Sequence, residues 1–182
     1  IFSCFLDNPK QELPLSKHKL LEIAVSKIID QRKISDCSSR GQSKLRFALA
    51  VFAFYLQYGN EKKFLKLTSY TQASDVSITL KLNKAEQEHF AEGCNLLDTQ
   101  WDKISLICKV QSDTYRFIHL QFQEYLASKF LFERMKELLA NAKQQADYPQ
   151  SLFKLWDEFF EILRTKILET SWLHEVVLFM FD

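Results

Sequence analysis

Histidine and cysteine are the residue types of this 182-residue chain best suited to metal binding or nucleophilic chemistry, and both are scattered. The four histidines are His18, His89, His119 and His174, and the four cysteines are Cys4, Cys37, Cys94 and Cys108. No two cysteines have the C-x-x-C spacing of a zinc site, and their density is too low for a disulfide framework. We therefore expect no metal site and a reducing, cytoplasmic compartment. For the histidines other than His119 we expect solvated or capping roles.

Glycine scarcity excludes several kinds of nucleotide and hydrolase site. The chain has only 3 glycines, and Gly41, Gly59 and Gly93 are isolated from one another. A phosphate-binding loop needs glycines where backbone N–H groups approach the ligand closely. Neither G-x-x-x-x-G-K-[ST], nor G-x-G-x-x-G, nor G-x-S-x-G is present, so the chain should not hydrolyse ATP by itself.

Charge and hydropathy exclude two further classes of partner. With 24 Lys+Arg and 23 Asp+Glu the net charge is +1, which gives no long-range attraction to nucleic acid or acidic lipid. The longest apolar run, residues 47–56, is far shorter than the roughly 20 residues of a membrane span. The N-terminus has no features of a signal peptide. Both ends of the sequence have an apolar helical pattern without a start or stop signal, as expected of helices that continue. We expect a piece of a longer protein, with no membrane contact.

Apolar periodicity predicts two helices in the first third of the chain. The first begins after Ser16 as N-cap and extends to about Gln31. A polar loop is predicted over 35–43. A second helix, apolar nearly all round and therefore buried, passes through Leu45 to Leu56 and ends before Gly59.

The next segment, 61–82, combines a hint of a short helix around Leu65 with strand-like alternation over 76–80. Asn83, followed three residues later by Glu86, predicts a capping box and a helix that ends near Asp98. Alternation over 104–110, a turn at 111–113 and a return over 114–118 predict a β-hairpin.

Helical periodicity returns after the hairpin. A long helix is predicted from about His119 or Gln121 to Leu139, followed by a polar linker over 141–150. Two further amphipathic helices are predicted within 152–163 and 172–181. The predicted fold is mainly α: a helical bundle plus a winged-helix domain with one β-hairpin, followed by further helices.

One run closely resembles a motif of the NACHT-type STAND NTPase family, which is related to the NOD-like receptors. The family motif is Phe-x-His-x-x-Phe-Gln-Glu-aromatic-x-Ala, and the matching residues here run from Phe117 through His119 to Ala127. Leu13-Pro14 and Trp172 to Val177 are similar to flanking segments of the same family. The resemblance implies three regions: 1–60, a helical domain that follows the NTPase core; 61–140, a winged-helix-like domain; and 141–182, the start of a C-terminal superhelical region.

The resemblance also implies a function. In the family the motif histidine, here His119, contacts the β-phosphate of ADP and holds the closed state, and nucleotide exchange releases it to allow oligomerisation in defence or innate-immune signalling. ADP or ATP with Mg²⁺ would bind the longer protein and not this chain alone. The implied partners are the upstream NTPase core, a C-terminal sensor region and further copies of the protein.

The individual motif residues admit alternatives. Judged by residue type alone, His119 is expected to cap backbone groups at a strand-to-helix junction and to contact no ligand. Phe117 and Phe122 are predicted to pack the domain core. Gln123 and Glu124 are either interdomain contacts or a solvated helix face, with Glu124 in the first turn near the positive end of the helix dipole.

Two other functions remain open. A DNA-binding winged helix would read DNA with the helix over 83–98, but its acidic residues outnumber its one lysine, so nucleic acid is not an expected partner. A helical protein-interaction scaffold without nucleotide function is the other alternative. A small basic cluster, Lys62, Lys63 and Lys66, is interpreted as a solvated face.

Overall fold

The computed structural model describes residues 16–31, 39–58, 65–66, 76–111, 114–143 and 157. Four helices and three short strands occur there in the order α1, α2, β1, α3, β2, β3, α4. Their bounds are α1 Lys17–Gln31, α2 Ser39–Tyr58, β1 Leu65–Lys66, α3 Lys84–Gln100, β2 Ile107–Gln111, β3 Thr114–Phe117 and α4 Leu120–Lys143. A short 3₁₀ helix, Trp101–Lys103, extends α3. The described chain is therefore mainly helical with one small hairpin, as predicted.

The relative directions of α1, α2 and α4 follow from their side-chain contacts. His18 and Glu22 of α1 meet Tyr125 and Lys129 of α4, so residues one turn apart on α1 meet residues one turn apart on α4 in the same order. The two helices are therefore parallel. Early in α2, Arg46 donates to Asp30 at the end of α1.

Later in α2, Phe54 packs on Phe130 of α4, next to the Lys129–Glu22 pair. Phe130 also contacts Phe47, next to Arg46, so the direction of α2 is given by its last turns. There Leu56 lines a depression together with Phe117, which lies just before α4. Helix α2 is antiparallel to both α1 and α4, and its last residues lie at the end of the bundle where α1 and α4 begin.

Helix α2 is the central element of the core. As its apolar composition predicts, nearly every residue from Lys44 to Gln57 is buried. It packs most extensively against α3 and α4, and apolar residues on both sides of residue 60 share one cluster with it. The buried apolar residues outside α2 include Leu21, Ile29, Phe90, Leu97, Ile104, Leu106, Phe122 and Leu126.

Helices α2 and α3 approach most closely at Gly93. A Cβ atom added there would overlap the carbonyl oxygen of Lys44 and the Cβ of Ala48. Beside this contact, the buried Lys44 ammonium donates to the exposed Glu92 carboxylate. That hydrogen bond lowers the pKa of the Glu92 carboxyl below its usual range.

The predicted local signals at two helix starts are confirmed. Ser16 Oγ accepts from the backbone N–H of Lys19 at 3.2 Å, as an N-cap should. Asn83 and Glu86 form the full capping box, each side chain accepting from the other's backbone N–H, at 3.0 and 2.7 Å. The helix that follows extends to Gln100, slightly beyond the predicted end near Asp98.

The hairpin is confirmed, and it is joined by a third strand. The strand order is β1-β3-β2, with Ile107 opposite Phe117 and Leu65 opposite Tyr115. Burial does not follow the alternation over 104–110, because Ile107 is buried whereas Val110 is exposed. Ile104 and Leu106 are the first two apolar residues of that pattern. They lie before the strand, in a loop and turn, and are buried there.

The strand predicted over 76–80 is also wrong, because residues 76–79 form a helical turn. It ends in a Schellman arrangement, in which Leu82 N–H donates to Ser77 O and Lys81 N–H donates to Ile78 O, at 2.9 and 3.1 Å. Lys81 occupies the left-handed position with φ of 50°, where glycine is the usual residue. Buried Leu82 and Val76 close the turn against the core.

Arg134 of α4 fastens this turn to the bundle. Its guanidinium donates to the carbonyl oxygen of Lys81 at 2.9 Å and to Glu86 Oε1 at 2.7 Å. One carboxylate, Glu86, therefore joins the α3 cap to α4. This contact lies towards the opposite end of α4 from its start.

Three further boundaries differ from prediction. The loop predicted over 35–43 is helical from Ser39 onward, and the linker predicted from Asn141 is helical to Lys143. Leu65 belongs to a strand and not to a short helix. The two helices predicted after residue 150, and Gly59, lie outside the described residues. Within the described part of the chain, no helix has the length and apolarity to span a membrane.

Replacing Gly93 with alanine should lower the free energy of unfolding. The added methyl has no room unless α3 moves away from α2, and such overpacking typically costs about 1–3 kcal/mol. Urea denaturation measures the loss. Asn95→Ala, at an exposed site on the same helix, is the control and should change stability by less than about 0.5 kcal/mol. An equal response of the two variants would contradict the close approach.

Replacing Lys81 with glycine should raise the free energy of unfolding by about 1 kcal/mol, because glycine adopts a left-handed backbone without a Cβ clash. Lys84→Gly, in the first turn of α3, is the matched control and should be destabilising, since helical glycine costs about 1 kcal/mol. Thermal unfolding of both variants checks the sign. Destabilisation by Lys81→Gly would exclude the left-handed conformation.

Candidate docking site at the start of α4

The backbone at the end of β3 turns directly into α4 and places His119 at the junction. The N–H of Ile118 donates to Leu106 O at 3.0 Å, which ends the strand. The carbonyl of His119 then accepts from the N–H groups of Phe122 and Gln123, at 3.2 and 3.4 Å. His119 therefore begins the helix through its backbone, and its imidazole is available for other contacts.

Four consecutive exposed residues, 118–121, lie between two buried phenylalanines at this junction. Phe117 and Phe122 are buried in the core, as predicted, whereas Ile118 and Leu120 are 44% and 46% exposed. His119 is exposed as well, with its ring centroid 6.0 Å from that of Phe122. We call the exposed run Ile118, His119, Leu120 and Gln121 the α4-start surface. It is an apolar patch with one imidazole at its centre, held on a buried aromatic base.

The two polar residues of the motif differ from each other. Gln123 is half-buried, whereas Glu124 is only 6% exposed and interacts with other groups of the chain. The solvated-face alternative is therefore wrong for Glu124. The helix begins at Leu120, so Glu124 also lies beyond the first turn, where the helix dipole acts most strongly.

The other described histidines, His18 and His89, are partly exposed and pack on aromatic rings. His18 contacts Tyr125 edge-on at 5.2 Å, and His89 contacts Phe47 edge-on at 6.0 Å. Burial, reinforced by the charge of Glu22, raises the pKa of Tyr125 well above its usual range. His174 lies outside the described residues, and so do the side chains of Lys62, Lys63 and Lys66.

The described cysteines are single thiols without metal-binding neighbours. Burial raises the pKa of Cys94 to about 12, which makes it a poor nucleophile. Cys108 is half-exposed on β2. Within the described ranges, no three His, Cys, Asp or Glu side chains form a group that could hold a metal ion. Cys4 and Cys37 belong to the undescribed part.

An apolar depression lies beside the junction, between α2, α3 and the hairpin. Leu56, Leu97 and Phe117 line it, together with the Arg116 side chain at its edge. It contributes apolar surface but no converging polar groups, so it does not define a small-molecule site.

The α4-start surface can make two kinds of contact. An imidazole N–H can donate to an anionic or carbonyl oxygen, and such hydrogen bonds to charged groups contribute roughly 1.5–3 kcal/mol. Ile118 and Leu120 can bury apolar area against a second surface. These are features of a docking site for a separate surface that carries an acceptor.

Sequence reasoning located His119 but missed the apolar residues beside it. The available signal was the strand alternation, which places Ile118 on the face opposite Phe117. It also missed Gln57, a buried polar residue near the end of α2. There the signal was a glutamine on a helix predicted to be buried on all sides.

Comparison of the chain with protein-family models, with curated proteins and with solved structures finds no match.

His119→Ala should leave the fold intact, because the exposed imidazole contributes little to the core. We expect a change of less than about 0.5 kcal/mol in the free energy of unfolding. Phe122→Ala, three residues later, should cost about 3–5 kcal/mol through lost burial and a cavity. Urea denaturation of both variants tests the contrast. A comparable loss in His119→Ala would assign the histidine to the core.

Proposed function

We propose that this chain is the regulatory helical and winged-helix part of a NACHT-type, nucleotide-dependent signalling ATPase. In this proposal it packs against an upstream NTPase core, holds the closed ADP-bound state and releases on nucleotide exchange to allow self-association. Defence or innate-immune signalling is the corresponding output, and the cytoplasm the corresponding compartment.

The observation that carries the proposal is the arrangement of the motif residues. Buried Phe117 and Phe122 fix the junction, while His119 points out of the core between exposed Ile118 and Leu120. A residue kept only for packing would share the burial of the two phenylalanines. The observed pattern supports a role for His119 in contact with something outside these helices.

The chemistry of the junction suits a phosphate oxygen. The N-terminal end of a helix carries partial positive charge from N–H groups without intrahelical partners, and anions are stabilised there. An imidazole N–H at the same position adds a directed donor. His119 would thus sense the nucleotide without taking part in a covalent step.

The order of elements supports the winged-helix assignment. Helix α3 leads into the hairpin β2–β3, β1 adds the third strand, and α4 follows directly. In this assignment the hairpin is the wing, and the α4-start surface lies at its base.

ATP and Mg²⁺ would be held by the upstream core, because this chain has no phosphate-binding loop. Docking then links the two regions: a ligand that favours the closed state shifts the equilibrium only by its difference in affinity for the two states. Losing one hydrogen bond to phosphate, worth roughly 1.5–3 kcal/mol, is enough to shift the equilibrium between two states of similar free energy.

The DNA-binding alternative is disfavoured by the charge of α3. The exposed side of this helix carries Glu88, Glu92 and Asp98 against Lys84, which opposes approach to a phosphate backbone. The scaffold alternative would also cover Ile118 and Leu120 with a second surface. It differs from the proposal in requiring no nucleotide.

Calorimetric titration of ADP tests the proposal in the longer protein that carries the upstream core. His119→Ala should weaken ADP binding about tenfold, equivalent to about 1.4 kcal/mol, because one phosphate contact is lost. The same substitution should raise basal self-association. Gln121→Ala, at an exposed neighbouring position, is the control and should leave ADP affinity unchanged.

Two results would contradict the proposal. If the longer protein binds no nucleotide, the region is a helical scaffold. If His119→Ala and Gln121→Ala bind ADP equally well, the histidine does not contact the nucleotide.

A further inference from the structure

Gln57 is a buried polar residue near the end of α2, at the boundary of the described residues. It is 7% exposed, and neither its amide nitrogen nor its amide oxygen has a hydrogen-bond partner among the described residues. An amide taken from water without new hydrogen bonds loses its hydration and gains nothing in return, so each such group destabilises the packed state. Such groups are rare in folded proteins.

Gln57 lies at the end of the bundle that carries the α4-start surface. It is three residues beyond Phe54, which packs on Phe130 of α4. Since α2 is antiparallel to α4, these residues lead towards the start of α4. Leu56, next to Gln57, lines the same depression as Phe117, the last residue of β3.

The start of α4 is held by α1, through the contact of His18 with Tyr125 and the pair of Glu22 with Lys129. The two ends of α4 differ in the polar groups that lie beside them. Towards its far end, Arg134 donates to Glu86 and to the carbonyl oxygens of Leu80 and Lys81. At the near end, α2 contributes the Gln57 amide. Its nitrogen and its oxygen would both gain hydrogen-bond partners if water reached them. Local opening is thus favoured at the near end.

We propose that Gln57 makes this end of the bundle a separate unit of low stability, which opens locally while the α3 side of the core stays folded. The unit comprises the last turn of α2 and the first two turns of α4. Opening frees the Gln57 amide to bind water and releases the α4-start surface, together with Phe122, from the rest of the core. The consequence for regulation rests on the proposed function: easier opening would favour release of this chain from the closed, ADP-bound state.

Backbone hydrogen exchange of the chain tests the opening directly, without nucleotide or partner. Gln57→Leu keeps the side-chain size but removes the unsatisfied amide. It should slow exchange of the amides of residues 124–127 about tenfold, equivalent to about 1.4 kcal/mol.

Lys81→Gly is the matched control, since it relieves backbone strain at the other end of α4. It should leave exchange over 124–127 unchanged, because a local opening does not involve the turn at Lys81. If Lys81→Gly slows 124–127 as much as Gln57→Leu does, the amides exchange through global unfolding and the proposal is wrong.

Gln57→Met, with an unbranched side chain of similar length, provides a second variant should the leucine pack poorly. Slower exchange over 124–127 in either variant supports the proposal. Unchanged or faster exchange in both variants overturns it. Neither result depends on nucleotide binding, so failure here is distinguishable from failure of the proposed function.

Discussion

The burial of α2 on nearly all sides is the constraint on which the rest of the described structure depends. Because this helix has almost no solvent face, each neighbour is positioned by one of its sides. Gly93 allows α3 to approach it closely, Phe54 meets α4, and Leu56 borders the same depression as the end of β3. The β3–α4 junction, and with it His119, is therefore held in place by α2. A change that loosens α2 would be transmitted to that junction.

Local signals in the sequence predicted the elements that depend on local chemistry. The cap at Ser16 and the capping box of Asn83 and Glu86 form as expected, since their partners lie three residues away. The turn at 76–82 was missed because its left-handed residue is Lys81, without the glycine that normally signals such a position. The strand at Leu65 depends on pairing with Tyr115, fifty residues later, which no local pattern reveals.

The same distinction applies to the site. The motif predicted buried Phe117 and Phe122 and a distinctive His119, and the burial of both phenylalanines agrees. It did not predict that Glu124 would be buried or that Gln57 would lie buried and unsatisfied, because both depend on how separate helices meet. Buried polar groups of this kind reduce stability where a surface must move. The buried aromatic residues, the exposed imidazole and the amide without a partner among the described residues all lie at one end of the bundle. Both proposals assign docking and release to that end.

In the proposed function, the α4-start surface would be covered by an upstream NTPase core when ADP is bound and uncovered after nucleotide exchange. Histidine footprinting with an acylating reagent, read residue by residue by mass spectrometry, tests it directly. Packed His18 serves as the internal reference. We expect His119 to react in this chain alone, to be protected in the ADP-bound longer protein and to react again with ATP. Equal reactivity of His119 in all three samples would contradict it.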